Sequence, residues 1–212
     1  MISGIDEAGR GCIIGPMVFA IASIEGMEEF KLKALGVKDS KKLSPAKREE
    51  LFLKIQERCK VSVSSISATE ITRLMDTYSL NEIEAQKIGA MLNKLGPEAS
   101  VIYVDSPDNI PENFTKRIRK YLNFPLKIVS ENKADDTHPI VAAASIMAKV
   151  TRDGEIEKIK KIMGEDFGSG YTSDERTIYF LSRHLDDEKL RPFLRTKWKT
   201  IANLRQKKLS DY

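Results

Sequence analysis

Met1-Ile-Ser-Gly-Ile-Asp6-Glu7-Ala-Gly9-Arg10-Gly11-Cys-Ile13-Ile-Gly15-Pro16-Met-Val-Phe-Ala-Ile-Ala-Ser-Ile24 opens the chain. Its β-branched and aromatic residues predict two strands, Ile2 to Ile5 and Ile13 to Ile24, the second interrupted by Gly15-Pro16, with Arg10 on a short hairpin-like connection. Two adjacent acids followed by a glycine-flanked arginine look like a metal site beside an anion or sugar site. Clustered carboxylates repel one another and lose hydration, so they stay ionised together mainly when a cation or hydrogen-bond donors compensate them. A charged strand end with a glycine turn is the plain alternative, and the rest of the chain must decide.

Working outward, Ser44 and Pro45 supply an N-cap and a first helical residue for a helix that ends near Cys59. Val61 to Ile66 alternates like a half-buried strand, Ala68 to Met75 returns to helical spacing, and Asn81 to Leu95 is a longer amphipathic helix stopped by Gly96-Pro97. Val101-Ile-Tyr-Val104 is the clearest buried strand, short and mostly β-branched, and it delivers Asp105 at its C-terminal end. A helix over about Pro111 to Tyr121, a short strand around Leu126 to Val129 and a charged loop from Ser130 to Thr137 follow. Pro139 to Met163 is the longest helical signal, and its alanines, Ala142 to Ala144, mark a close-packing face. Further helices are expected to start at Ser173 and at Asp186, ahead of a basic, peripheral end from Ile201 to Tyr212. Strands first, then strands alternating with helices, predict an α/β fold with a mixed sheet covered by helices.

The 212 residues suit one domain plus a small C-terminal extension. With 35 Lys and Arg against 31 Asp and Glu, the net charge of +4 permits nucleic-acid binding without requiring it. No apolar stretch reaches membrane-spanning length and the N-terminus lacks signal-peptide character, so a cytoplasmic protein without membrane association, expected as a monomer, is the reading. Cys12 and Cys59 have neither C-x-x-C spacing nor histidine companions, which argues against zinc and for two inert thiols.

Asp6, Glu7, Asp105 and Asp135 are far apart in sequence, yet each sits where a strand ends or a helix begins. Hard oxygen ligands without nearby His or Cys select Mg²⁺ or Mn²⁺. Two such ions about 4 Å apart would serve phosphodiester hydrolysis, and one ion would use the same residues. His138, ahead of Pro139, is read as a residue at the helix start, and Trp198 as core. Lys41, Lys42 and Arg48, together with Arg195, Lys197 and Lys199, are plausible phosphate contacts, although the same residue types serve equally well as solvated surface.

Six ordered motifs then coincide: Asp6-Glu7-Ala-Gly-Arg-Gly11, Asp39-Ser-Lys-Lys-Leu43, Tyr103-Val-Asp105, Lys133-Ala-Asp135, Ala142-Ala-Ala-Ser-Ile-Met-Ala-Lys-Val-Thr-Arg-Asp153 and Gly168-Ser-Gly-Tyr171. On these the chain resembles ribonuclease HII, particularly its archaeal members, over nearly its whole length. The resemblance implies a ribonuclease H-like fold, a mixed five-stranded sheet flanked by helices, with a catalytic domain over 1–172 and a helical C-terminal extension over 173–212. It implies metal-binding catalytic carboxylates at Asp6, Glu7, Asp105 and Asp135, with Asp136 a neighbour one position off. It further implies hydrolysis of the RNA strand of RNA–DNA hybrids and cutting 5′ of ribonucleotides embedded in duplex DNA, leaving 3′-hydroxyl and 5′-phosphate ends.

In that family Gly9, Arg10 and Gly11 would contact the ribose 2′-hydroxyl, the group that distinguishes RNA from DNA. Tyr171 would stack on the neighbouring deoxyribose and favour RNA-to-DNA junctions. Thr172 stands where many relatives carry proline, a departure that bears on the junction preference. The related ribonuclease HIII carries an extra N-terminal substrate-binding domain, for which an acidic motif at residue 6 is expected to leave no room. A hybrid-binding module without chemistry is the alternative class, against which four intact acids argue. The last residues, with Gln206, Leu209 and Tyr212, are similar to the peptide that inserts into sliding clamps, while an ordinary basic tail is the other reading.

Overall fold

The computed structural model describes residues 1–37 and 43–210, with the backbone alone for 207–210. Five strands form one sheet: β1 (Ile2–Ala8), β2 (Met17–Ile24), β3 (Lys60–Ile66), β4 (Val101–Asp105) and β5 (Ile128–Glu131), in the order β3-β2-β1-β4-β5. β1 runs antiparallel to β2, pairing Ile5 with Ile21, and parallel to β4, pairing Ile5 with Val104; β4 is parallel to β5. The mixed five-stranded sheet expected from the sequence is therefore present. Helices α1 (Glu29–Leu35), α2 (Pro45–Arg58), α3 (Ala68–Leu74), α4 (Leu80–Leu95), α5 (Pro111–Arg119), α6 (Ala134–Thr137), α7 (Pro139–Met163), α8 (Glu175–His184) and α9 (Lys199–Ser210) complete the described elements.

Local chemistry accounts for the helix starts. The Ser44, Ser67 and Ser79 hydroxyls accept from backbone N–H groups three residues on, and Pro45 and Pro111 sit at the first helical position. Three expectations need correction. The strand expected over Ile13 to Ile24 begins only at Met17, because the left-handed Gly15 and the following Pro16 interrupt it, while Gly26–Glu28 and α1 are helical in a stretch for which the sequence predicts no element. The helix expected from Asp186 does not form: turns and a 3-10 segment at Arg191–Phe193 occupy that region, and the helix appears later, as α9. The loop expected over Ser130 to Thr137 instead completes β5 and forms α6, which places Asp135 on a helical turn.

The chain groups into two compact units, one of residues 1–8, 18–64 and 78–150, the other of residues 9–17, 65–77 and 151–212. In the first, Val18, Ala20, Ala22, Leu51, Ile55 and the α7 alanines make the core. Gly4 explains how closely helix and sheet meet, since a Cβ there would lie 2.4 Å from the Ile140 carbonyl carbon. Ala142, Ala143, Ala144 and Ala148 are fully buried, as expected for a close-packing face. The second unit has its own core of Ile13, Ile14, Ile156, Ile159, Phe167, Phe180 and Leu194. Among the described residues no helix is long and apolar enough to cross a membrane.

Candidate active site

The acids are delivered by strand ends. Asp6 lies near the end of β1, two residues before its last residue, and is 6% exposed. Its Oδ1 accepts the Glu7 N–H at 2.7 Å. Burial, then the Glu7 carboxylate, then that of Asp105 push the Asp6 carboxyl well above the ordinary range, while the Ser145 hydroxyl and the Glu7 amide pull it partway back. Glu7 and Asp105 thus both lie within electrostatic reach of Asp6. Asp105 closes β4, in register with Glu131 at the end of β5.

The fourth acid is placed through the backbone. Asp105 Oδ1 accepts the Ala134 N–H at 2.8 Å, which fixes the first turn of α6 against the end of β4. Lys133, immediately before, has φ 56°, the only positive φ outside glycine among the described residues. A left-handed residue at that point lets the chain leave β5 and turn at once into α6. Asp135 is 2% exposed, whereas Asp136, one residue on, is exposed. Both line a cleft of about 400 Å³ with Glu29, Lys33 and Val37. A bond of 2.9 Å between His138 Nε2 and Glu131 and a stack of 4.0 Å on Tyr103 seat the start of α7.

Glu7 and Asp105 lie beside Asp6, whereas Asp135 lines its cleft with Asp136, and among the described residues no three His, Cys, Asp or Glu are grouped to hold a metal ion. The donor set fits a hard divalent cation, because it is all oxygen and the carboxylates around Asp6 would gain from a compact positive charge.

The second unit holds the Gly9–Gly11 turn. Gly9 has φ 88°, and a Cβ there would lie 2.7 Å from the Pro16 carbonyl oxygen, so the position demands glycine. The Gly9 N–H donates to the Tyr171 hydroxyl at 3.1 Å, and the buried Cys12 thiol donates to the Gly9 carbonyl at 3.0 Å. Gly11 is exposed. The Arg152 guanidinium lies 4.6 Å from the centre of the Tyr171 ring, and burial pushes the Tyr171 phenol upward.

The cationic candidates divide. Lys41 and Lys42 lie outside the described residues, as do Asp39 and Tyr212. Arg48 is turned inward, 9% exposed, and donates to the Leu43 carbonyl at 2.6 Å, so it braces the start of α2. Arg195, expected as a phosphate contact, is fully buried. Lys197 is exposed and paired with Asp76, and Trp198 is half-buried against the second core. Arg152 was not singled out from the sequence beyond its place in a motif. A charged residue carries no local mark of burial.

Comparison with known proteins places these observations. A family model described as ribonuclease HII matches residues 3–201. The ribonuclease HII of Archaeoglobus fulgidus is 44% identical over 212 residues, covering all of both chains, and that of Nanoarchaeum equitans is 48% identical over 209 residues, covering 99% and 98%. The fold is similar to the structure of the PCNA:RNase HII complex from Archaeoglobus fulgidus (TM-score 0.88, 43% identity, all of both chains). It is also similar to ribonuclease H2 from Pyrococcus horikoshii (TM-score 0.86, 40% identity, 97% of both chains). A Bst-RNase HIII in complex with Mn²⁺, at 22% identity and TM-score 0.80, shares the fold over 69% of its own chain.

Proposed function

Because the chain belongs to the ribonuclease HII family, making it a type 2 ribonuclease H that hydrolyses RNA in RNA–DNA hybrids, we propose that it is a divalent-metal-dependent endonuclease that also cuts 5′ of single ribonucleotides embedded in duplex DNA. The products carry 3′-hydroxyl and 5′-phosphate ends, and the role is ribonucleotide removal during replication and repair. The observation that carries the metal reading is the Asp6 carboxyl, raised first by its burial and then by its neighbours Glu7 and Asp105.

Asp6, Glu7, Asp105 and Asp135 hold Mg²⁺ or Mn²⁺ in this reading. The burial of Asp135 beside the exposed Asp136 supports the choice between them. A divalent ion held by these residues would supply a water of lowered pKa and charge stabilisation for the leaving oxygen. The chain's own contribution is placement. Asp105 both offers a carboxylate oxygen and accepts the Ala134 N–H, so ligand and ligand-bearing turn are fixed together. Ser145 orients the Asp6 carboxyl from α7. Gly9, Arg10 and Gly11 read the ribose, and Tyr171, held by the Gly9 amide, meets the adjoining sugar. Lys41 and Lys42 are assigned to phosphate.

The test is cleavage of a DNA duplex carrying one ribonucleotide with Mg²⁺, Mn²⁺ or chelator, with the cut mapped by its ends. A cut 5′ of the ribonucleotide that vanishes with chelator is expected; a cut that survives chelation overturns the mechanism.

A sliding-clamp partner is supported by the PCNA:RNase HII complex of Archaeoglobus fulgidus. In this chain Gln206, Leu209 and Tyr212 are assigned to that contact. Removing residues 206–212 is expected to weaken clamp binding at least about tenfold while sparing cleavage of free duplex; equal clamp affinity removes the assignment.

A further inference from the structure

Two of the largest fully buried side chains are cationic, Arg152 and Arg195. A buried guanidinium is costly unless its donors are used, so where those donors point is informative. Arg195 Nη1 donates to the Arg10 carbonyl at 2.9 Å and its Nε to the Gly15 carbonyl at 3.1 Å. Its backbone N–H reaches the Ile13 carbonyl at 3.0 Å, and Trp198 covers the guanidinium with its ring centre 5.1 Å away. One residue therefore ties down three carbonyls of the segment from Arg10 to Gly15. Arg152 reaches one carbonyl of the loop that carries Tyr171, donating to that of Ser169, with its guanidinium over the Tyr171 ring.

The bond to Arg10 has a geometric consequence. The described peptide bonds are all trans, and in a planar trans peptide the N–H points opposite to the preceding C=O. With the Arg10 carbonyl drawn inward by Arg195, the Gly11 N–H is directed outward, at a residue that is itself exposed. A rotation of that peptide would bury the donor and present an oxygen instead.

We propose that Arg195 is a positioning residue for sugar recognition: by holding the Arg10 carbonyl inward it aims the Gly11 amide at the ribose 2′-hydroxyl, and it makes no phosphate contact of its own. The inference rests on the reading of Gly9–Gly11 as the ribose-sensing turn. Lysine cannot replace the arginine, because a single ammonium lacks the fork that spans the Arg10 and Gly15 carbonyls.

The experiment uses the full chain carrying Asp105→Asn, so that binding is read without cutting. Dissociation constants are measured for a DNA duplex with one ribonucleotide and for the same duplex in all-DNA form, across a salt series. Arg195→Lys is expected to lower the preference for the ribonucleotide duplex about tenfold, the scale of one hydrogen bond, with all-DNA affinity and salt slope unchanged. Equal weakening of both duplexes would mark a phosphate contact, which carries no sugar information, and overturn the proposal. An unchanged preference with only a lower melting temperature would reduce Arg195 to a structural brace, which also overturns it.

Should Arg195→Lys fail to fold, Trp198→Phe, which leaves both carbonyl bonds in reach but thins the cover over the guanidinium, is expected to lower the preference by a smaller factor; no change refutes the idea. Gly11→Ala separates this inference from its premise, since its Cβ would meet the Tyr171 ring at an ordinary 3.9 Å. If Gly11→Ala leaves the preference intact, the turn does not read the sugar. If it lowers the preference and Arg195→Lys does not, the turn reading stands and the role of Arg195 falls.

Discussion

Glu7 and Gly9 are separated by one residue, yet the structures they belong to treat buried charge in opposite ways. Around Asp6, carboxylates face carboxylates, and a hydroxyl and one amide offset only part of their repulsion. Around the Gly9–Gly11 turn, buried guanidiniums are matched to fixed carbonyls at Arg10, Gly15 and Ser169. The difference teaches how to tell a site from its scaffold. Charge balanced by backbone dipoles holds a shape, whereas charge left opposed by its own kind awaits a mobile counter-ion.

The comparison breaks most sharply at Asp105. Asp105→Asn keeps an oxygen for the Ala134 N–H but loses a charge, so cleavage is expected to fall at least about 10²-fold with hybrid binding largely kept. Single-turnover rates beside binding isotherms check this, and retained turnover would remove Asp105 from the acid group.

Gly4→Ala probes whether the sheet beneath the acids is as tightly fixed as the turn. Its Cβ would overlap the Ile140 backbone, and a loss of about 1–3 kcal/mol is expected in urea denaturation. A variant as stable as the parent would show that α7 can lift from β1.

The smallest effect sharpens the other side. Asp174 accepts the Ser169 and Arg176 N–H groups and so holds the loop that carries Tyr171; these bonds, the Ser169 amide first, keep its carboxyl well below the usual range. Asp174→Ala is expected to cost about 1 kcal/mol near pH 7, the loss of one N-cap. A carboxyl depressed in the folded state stabilises above its unfolded pKa. The gap between parent and variant should therefore hold at pH 6 and shrink as pH falls below about 4 towards the folded value. Melting curves across that range check it; a gap independent of pH would assign the cost to packing.

Much of this was legible in the sequence because the signals were local. The alternation and β-branching of β1, β2 and β4 place acids at strand ends, and alanines at 142–144 announce a helix packed close to a sheet. What escaped depends on distant partners. Arg195 reads as surface in sequence, and only the carbonyls of Arg10 and Gly15 make its burial tolerable. Asp135 reads as a loop acid until the Asp105–Ala134 bond and the left-handed Lys133 turn it into a helical one. Around Asp186 the helical spacing lost to turns, with Leu190 and Leu194 buried in the second core.

The sheet order has a last consequence, for how the molecule is made. β1 is the central strand, and Ile5 finds Ile21 across a short connection but must wait for Val104 to be synthesised before its other edge is covered. Such long-range parallel pairing forms slowly. Until it does, Asp6 has no Asp105 beside it, so in a growing chain the proposed acid group exists only as separated pieces and is assembled with the closure of the sheet.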